Sequence, residues 1–79
     1  MARTGFVLIS CEVGFEKAIM KKLGDIKEVA DVSLLSGSYD IIVKLESATL
    51  ETLRELIVWK IRKIEKIRSI ITLLSREMH

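Results

Sequence analysis

The sequence predicts an α+β domain in which four strands and two helices follow one another in the order β-α-β-β-α-β. Four runs of apolar and β-branched residues indicate strands, and two stretches with apolar residues three and four positions apart indicate amphipathic helices. A short Ser/Gly turn joins the two middle strands, as in an antiparallel hairpin. Two right-handed βαβ crossovers linked by this hairpin place both helices on one face of a four-stranded antiparallel sheet.

The first strand and the first helix occupy the N-terminal third of the chain. Residues 5–11 form a short apolar run bounded by glycine, which is typical of a strand. From Phe15 the apolar residues adopt helical spacing, and Gly24 is a typical C-terminal stop. The expected buried stripe of this helix consists of Phe15, Ala18, Ile19, Leu23 and Ile26.

The remaining elements begin with the hairpin. Its strands are predicted over residues 29–35 and 39–46, and the turn over residues 36–38. Thr49 is the expected N-cap of the second helix, and the last strand is predicted over residues 67–74. The helix should bury a stripe of Leu50, Leu53, Leu56, Ile57, Ile61 and Ile64. The expected fold is the ferredoxin-like plait with strand order 4-1-3-2.

One face of this sheet has no helix to cover it, and many of its side chains are expected to be apolar. Its side chains come from alternate positions of residues 6–10, 39–45 and 67–73. Such a face requires another protein surface, and a second plait packed sheet to sheet would cover it. We therefore expect a homodimeric α/β sandwich.

Length and composition allow one domain and exclude several protein classes. The 79 residues are expected to form a single domain over residues 1–79, with an ordered core at about 5–75. An apolar fraction of 49% with no proline argues against a disordered linker, and no apolar run reaches the length of a membrane span. The 13 basic and 11 acidic residues are too balanced to indicate nucleic-acid binding.

The residues that usually carry catalysis or bind metals are few. Cys11 is the only cysteine, which excludes an internal disulfide or a thiolate cluster, fits a cytoplasmic protein and suggests a buried strand end. His79 is the only histidine and is the terminal residue. No P-loop, dinucleotide fingerprint or zinc spacing is present. We therefore expect no metal, no cofactor and no enzymatic activity.

The turn Gly37-Ser38-Tyr39-Asp40 has two interpretations. It is an ordinary hairpin turn, in which glycine supplies a positive φ and Asp40 bonds the turn backbone. Alternatively, its free N–H groups hold a carboxylate while Asp40 binds an ammonium group, so that the turn binds a zwitterion. Ser69 and Thr72 on the last strand also have two interpretations. They are ordinary polar residues of an edge strand, or their hydroxyls face the glycine turn of a neighbouring molecule.

Three segments together resemble the effector-binding domain (RAM domain) of the Lrp/AsnC, or feast/famine, transcription regulators. That domain has a Thr-Gly-x-Tyr-Asp hairpin, which matches the segment Leu34-Leu35-Ser36-Gly37-Ser38-Tyr39-Asp40-Ile41-Ile42-Val43-Lys44 here. The preceding Leu-x-x-Ile-x-x-Val-x-x-Val stretch of the family matches residues 23–32, and its last strand matches residues 67–74. The resemblance covers residues 5–75, almost the whole chain.

The resemblance implies a plait that dimerises through its sheet, with dimers assembling into an octamer or a related ring. It also implies that an amino acid or similar small molecule binds between dimers. The binding residues carried over from the family are Ser36, Gly37, Ser38, Tyr39, Asp40 and Thr72, with Arg54 and Val58 closing the pocket. Ile70 stands where the family often has threonine, which favours a ligand with an apolar side chain.

Two further departures from the family accompany this match. Val13 replaces the usual proline before Gly14, which affects only that turn. The family's helix-turn-helix is not present in these residues, so we expect a stand-alone effector domain. Such a domain would not bind DNA directly and would act through full-length Lrp/AsnC regulators.

The leading hypothesis is therefore an amino-acid-binding, self-assembling regulatory module. One alternative is a structural oligomerisation module without a ligand. Another is a small dimeric plait enzyme, which needs a His, Asn or Trp in a deep pocket, and Trp59 is the only candidate.

Overall fold

The computed structural model describes residues 3–74 and confirms the predicted order of elements. The strands and helices are β1 (Arg3–Cys11), α1 (Glu16–Gly24), β2 (Val29–Leu34), β3 (Ile41–Ser47), α2 (Leu50–Leu56) and β4 (Ile67–Leu74). Residue 75, the end of the predicted core, lies outside the described residues. No helix within residues 3–74 combines the length and the apolar character needed to cross a bilayer.

The four strands form one antiparallel sheet in the order β2-β3-β1-β4, which confirms the predicted topology. Val7 in the middle of β1 pairs with Val43 of β3 on one side and with Thr72 of β4 on the other. The register between β1 and β4 shifts between Ser10 and Cys11. β2 and β4 are consequently the two edges of the sheet.

The hydrophobic core lies between the helices and the side chains of one sheet face, because alternate residues of a strand point to opposite faces. It consists of Val7, Ile9, Cys11, Ile19, Leu23, Ile41, Val43, Leu45, Leu53, Leu56, Ile57 and Ile61. No polar or charged residue within residues 3–74 is fully buried. Cys11 ends β1 and is buried, as predicted.

The buried stripe predicted for α1 is wrong at two positions. Phe15 is the N-cap of α1 and is 40% exposed, and Ala18 is also exposed. Ile19 and Leu23, four residues apart, are the buried residues of this nine-residue helix, and Met20 packs against the core from a partly buried position. Ile26 lies after the helix and packs against the edge of the core.

The second helix begins as predicted, but its end differs from a regular α-helix. The Thr49 side chain accepts a hydrogen bond from the N–H of Thr52 at 3.1 Å, which confirms the predicted N-cap. α2 then continues into a π-helical turn over Ile57–Ile61, closed by the Arg62 N–H donating to the Ile57 carbonyl at 2.9 Å. This turn buries Ile57 and Ile61 and leaves Val58 and Trp59 on the outside.

The face of the sheet away from the helices has its apolar side chains mainly on two of the four strands. Its apolar part lies on β1 and β4, where Phe6 pairs with Leu73 and Leu8 pairs with Ile71. Ile42 is the only apolar residue that β3 adds, because Val43 and Leu45 point into the core. On the β3 side the same face includes an ion pair between Lys44 and Glu46, with a nitrogen-to-oxygen distance of 3.6 Å.

The two hydroxyl residues of the last strand lie on opposite faces. Ser69 pairs with Ser10, and Thr72 pairs with Val7, whose side chain is in the core. Thr72 therefore shares the helix side of the sheet with Ile70, while Ser69 belongs to the opposite face. A single neighbouring surface cannot contact both hydroxyls from one side of the sheet.

Candidate functional site

The candidate site is built around Asp40, at the point where the β2–β3 hairpin meets the end of β1. The Asp40 N–H donates to the Ile9 carbonyl at 2.8 Å, and the Leu35 N–H donates to the Asp40 carbonyl at 2.8 Å. Asp40 Oδ2 accepts a hydrogen bond from the Cys11 N–H at 2.9 Å. Because backbone and side chain are both held by other strands, the position of the carboxylate is fixed by the sheet.

The turn before Asp40 depends on glycine for its backbone conformation. Gly37 has a φ of 129°, which side chains other than that of glycine rarely allow. A Cβ atom built at this position meets no atom within 4 Å, so the requirement comes from the backbone and not from crowding. Ser36, Gly37 and Ser38 are exposed, and Tyr39 is half-buried.

A cavity of about 380 Å³ opens beside Asp40. Its walls are formed by Glu16, Lys17, Leu34, Leu35, Ser36 and Asp40. The first turn of α1 thus contributes a basic and an acidic residue, Lys17 and Glu16, to the lining of the cavity that Asp40 also lines, while the leucines supply an apolar wall. Such a cavity presents groups of both charges and an apolar surface to one small molecule.

The acidic groups at this site affect the thiol of Cys11. Burial raises the pKa of the Cys11 thiol, and the negative charges of Asp40 and Glu16 raise it further, together with a hydrogen bond to Asp40. Glu16 is held near the site because its Oε1 accepts the Gly14 N–H at 2.9 Å. The buried Cys11 thiol is therefore less readily ionised than an exposed thiol.

The structure brings only some of the predicted binding residues to this cavity. Ser36 and Asp40 line it, and Gly37, Ser38 and Tyr39 belong to the same turn. The remaining predicted residues, Thr72, Ile70, Arg54 and Val58, lie on β4 and along α2 and do not line it. Trp59 does not line it either and is 62% exposed.

Sequence reasoning missed four residues of this cavity: Glu16, Lys17, Leu34 and Leu35. Glu16 and Lys17 looked like the solvated side of an amphipathic helix, and no local signal marked them as part of a site. The exposed Leu34 and Leu35 flank the recognised turn, so their apolar character next to Ser36 was a usable signal. Within residues 3–74, no three side chains of the metal-binding types lie together.

Comparison with known proteins connects this hairpin to a family. The family described as "Lrp/AsnC ligand binding domain" matches residues 4–77, which include every described element except the first residue of β1. The chain belongs to the Lrp/AsnC ligand-binding domain family. The order of elements and the sheet topology derived above are those of its ferredoxin-like fold.

Individual relatives agree with this assignment. The Lrp/AsnC domain is similar to the hypothetical protein PHS023 from Pyrococcus horikoshii, with 37% identity, a TM-score of 0.89 and coverage of 100% of this chain and 94% of that one. It is 26% identical over 78 residues to the uncharacterized HTH-type transcriptional regulator PF0250 of Pyrococcus furiosus. That match covers 95% of this chain and 52% of PF0250, so the domain spans about half of this relative.

A more distant structure shares the fold alone. The transcriptional regulator NMB0573 of Neisseria meningitidis was solved as a complex with L-Met, and it superposes with a TM-score of 0.83 at 9% identity. The superposition covers 95% of this chain and 50% of NMB0573.

Proposed function

We propose that this Lrp/AsnC domain binds an amino acid or a similar small zwitterion at the Asp40 cavity and couples that binding to self-association. The observation that carries the proposal is the Asp40 carboxylate, fixed by the Cys11 N–H at 2.9 Å at the edge of a cavity that also contains Lys17. In this reading Asp40 binds the ammonium group of the ligand. Lys17 and the exposed N–H groups of the Gly37 turn bind its carboxylate.

The apolar part of the cavity supports a preference for an apolar ligand side chain. Leu34 and Leu35 form its outer wall and are 57% and 38% exposed, so they have apolar surface available for a ligand. Ile70, if it completes the pocket, adds a further apolar contact. The amino acid in the NMB0573 complex, L-Met, also has an apolar side chain.

In this proposal Thr72 and Ile70 complete the pocket from a second copy of the chain. Thr72 pairs with Val7, which pairs with Val43, so β4 is two strands from β3. Asp40 precedes Val43 by three residues, which gives a separation from Thr72 of roughly 14 Å within one chain by ideal strand geometry. Thr72 does not line the Asp40 cavity within one chain, so in this proposal the Thr72 strand comes from another copy.

The uncovered sheet face supplies the dimer contact of the proposed assembly. Phe6, Ile71 and Leu73 are between 37% and 54% exposed and form one apolar surface with Leu8. Burying this surface against a second copy removes apolar area from water, which favours the dimer. Dimers would then meet near the Asp40 turn and form an octamer or a related ring.

Ligand binding would act on this assembly through linkage. A ligand held between two dimers stabilises whichever assembly contains the complete pocket, and the assembly in turn increases ligand affinity. The effect on transcription would be exerted through full-length Lrp/AsnC regulators, of which PF0250 is an uncharacterized relative. The proposed role is regulatory and not enzymatic, and the proposed location is the cytoplasm.

Calorimetric titration of the purified protein with each of the twenty amino acids tests this function. We expect saturable binding of one or a few of them, with apolar side chains preferred. Sedimentation velocity in the presence and absence of the bound amino acid then tests the coupling to assembly. Absence of binding by all twenty at millimolar concentration would remove the sensing function.

A second candidate function is a structural oligomerisation module that binds no ligand. The exposed apolar surface around Phe6 and Leu73 favours it, because this surface requires a partner whether or not the Asp40 cavity is filled. Stable oligomers combined with no response in any amino-acid titration would support this candidate over the first.

A further inference from the structure

A second cavity, of about 250 Å³, lies between the turn before β2 and the outer side of the second helix. Its walls are formed by Glu28, Thr52, Glu55, Leu56, Trp59 and Lys60, none of which lines the Asp40 cavity. The Glu28 carbonyl accepts the Glu46 N–H at 2.9 Å, which places the cavity beside the last residues of β3.

The second cavity is at the opposite end of the sheet from Asp40. Glu46 pairs with Thr4, whereas the Asp40 N–H bonds to the Ile9 carbonyl. Five residues of β1 separate these two points, a distance of roughly 17 Å along an ideal strand. A ligand in this cavity would therefore be independent of the one proposed at Asp40.

Glu28 carries an unusual carboxylate. Its Oε1 atom is buried, and within residues 3–74 it has no hydrogen-bond partner. A buried carboxylate oxygen without a donor is costly, and the site of such an atom needs an explanation. Because Glu28 also lines the adjoining cavity, a cation bound there would offset the negative charge of this side chain.

Trp59 gives the cavity an aromatic wall suited to a cation. Its indole is 62% exposed, and the Lys63 Nζ atom lies 4.9 Å from the centre of the ring, so this ring already takes part in one cation–π contact. Glu28 and Glu55 place two carboxylates in the cavity against the single ammonium group of Lys60. The lining itself therefore carries one net negative charge, with Lys63 outside it on the indole ring.

We propose that this cavity binds a guanidinium group. A guanidinium is planar and weakly hydrated, stacks on indole rings and donates paired hydrogen bonds to carboxylates, so it matches both Trp59 and the glutamates. A volume of about 250 Å³ is smaller than a typical site for a drug-sized ligand and suits a small guanidinium compound or the end of an arginine side chain.

Fluorescence titration with ethylguanidinium chloride tests the proposal directly, because Trp59 is the only tryptophan in the chain. We expect a saturable change of its emission at millimolar probe. Sodium chloride at equal ionic strength should give no saturable change, and tetramethylammonium chloride should bind at least about fivefold more weakly because it cannot donate hydrogen bonds. Equal binding of tetramethylammonium would overturn the guanidinium assignment.

Variants of the glutamates show whether the cavity is the binding site. Glu28→Gln should weaken ethylguanidinium binding at least about fivefold. Glu55→Gln should also weaken ethylguanidinium binding. Because Glu55 is exposed, this substitution should not destabilise the fold. Glu51→Gln is the matched control, since Glu51 is exposed on the same helix but does not line the cavity. Unchanged binding in both Glu28→Gln and Glu55→Gln would overturn the proposal.

Two further measurements are informative. One distinguishes an arginine side chain from a free guanidinium compound, and the other distinguishes this cavity from the Asp40 cavity. Tighter binding of acetyl-arginine amide than of ethylguanidinium would assign the cavity to an arginine side chain of a protein, and the reverse order to a free guanidinium compound. Asp40→Asn should leave ethylguanidinium binding unchanged. Loss of ethylguanidinium binding in Asp40→Asn would show that the probe occupies the Asp40 cavity, contrary to the proposal.

Discussion

The side chain of Asp40 is held by the backbone of Cys11, 29 residues earlier in the chain, through a 2.9 Å hydrogen bond from the Cys11 N–H to Asp40 Oδ2. This bond joins the hairpin turn to the end of the neighbouring strand β1. It also brings a negative charge close to a buried thiol, so that the same contact orients a candidate ligand-binding carboxylate and changes the chemistry of the only cysteine.

Asp40→Asn should abolish or strongly weaken amino-acid binding while the fold is retained. The amide oxygen of asparagine can still accept the Cys11 N–H, but the charge that binds an ammonium group is lost. We expect at least about a tenfold decrease in affinity, because a charge-assisted hydrogen bond is replaced by a neutral one. Calorimetry measures the affinity, and Asp25→Asn, an exposed carboxylate at the end of α1, is the control. Equal affinity in Asp40→Asn and the wild type would contradict the proposed site.

Ionisation of Cys11 should occur at higher pH than that of an ordinary thiol. Burial is the largest cause and Asp40 the second, so Asp40→Asn should lower the pKa of Cys11 part of the way toward its usual value. The NMR chemical shift of the Cys11 Cβ carbon, followed against pH in protein labelled with carbon-13 at cysteine, measures both values. A Cys11 pKa that is the same in Asp40→Asn and in wild type would show that the carboxylate charge has no effect on the thiol.

The raised pKa of Cys11 also predicts how the free energy of unfolding changes at alkaline pH. The unfolded chain loses its thiol proton at the ordinary thiol pKa, whereas the folded protein keeps it, so folding stability should fall as pH rises above that value. Denaturant unfolding at several alkaline pH values measures the slope. Cys11→Ala removes the ionising group and should reduce this slope.

Gly37→Ala should destabilise the fold, and Gly24→Ala should stabilise it. Gly37 has a φ of 129°, where an alanine is strained by about 1 kcal/mol or more. Gly24 lies at the end of α1 without a positive φ and with nothing within 4 Å of an added Cβ, so alanine there should contribute about 0.5–1 kcal/mol. Denaturant unfolding at one protein concentration measures both changes. A stability of Gly37→Ala equal to that of Gly24→Ala would contradict the role assigned to the turn.

Leu73→Lys should dissociate the proposed dimer. Leu73 is 54% exposed on the uncovered sheet face and pairs with Phe6, so a lysine would place a charge in the middle of the proposed interface. Sedimentation equilibrium should show a mass reduced by half or more relative to wild type. Val13→Lys is the control, because Val13 is 90% exposed in the turn before α1 and lies away from that face. An unchanged mass in Leu73→Lys would place the interface elsewhere.

Elements with strong local signals were predicted closely. The last strand, Ile67–Leu74, matches its predicted bounds, and Thr49 caps α2 as expected, since both depend on residues close together in the chain. The π-helical turn at Ile57–Ile61 was not predicted. Ile57 and Ile61 were both expected in the buried stripe and are buried, but their spacing does not distinguish a π-helical turn from a continued α-helix.

The sequence by itself determined the order of elements, the strand topology and the family to which the hairpin belongs. Those features follow from signals that are local in the chain: the spacing of apolar residues, the residues of the turns and the hairpin motif. Only the tertiary structure decided what surrounds Asp40. Glu16 and Lys17 reach the cavity from α1, and the Cys11 N–H reaches the carboxylate from β1, because the sheet brings the ends of separate segments together. The role of Thr72 and Ile70 stays a prediction, because neither residue lines the Asp40 cavity and the proposal assigns both to a second copy of the chain.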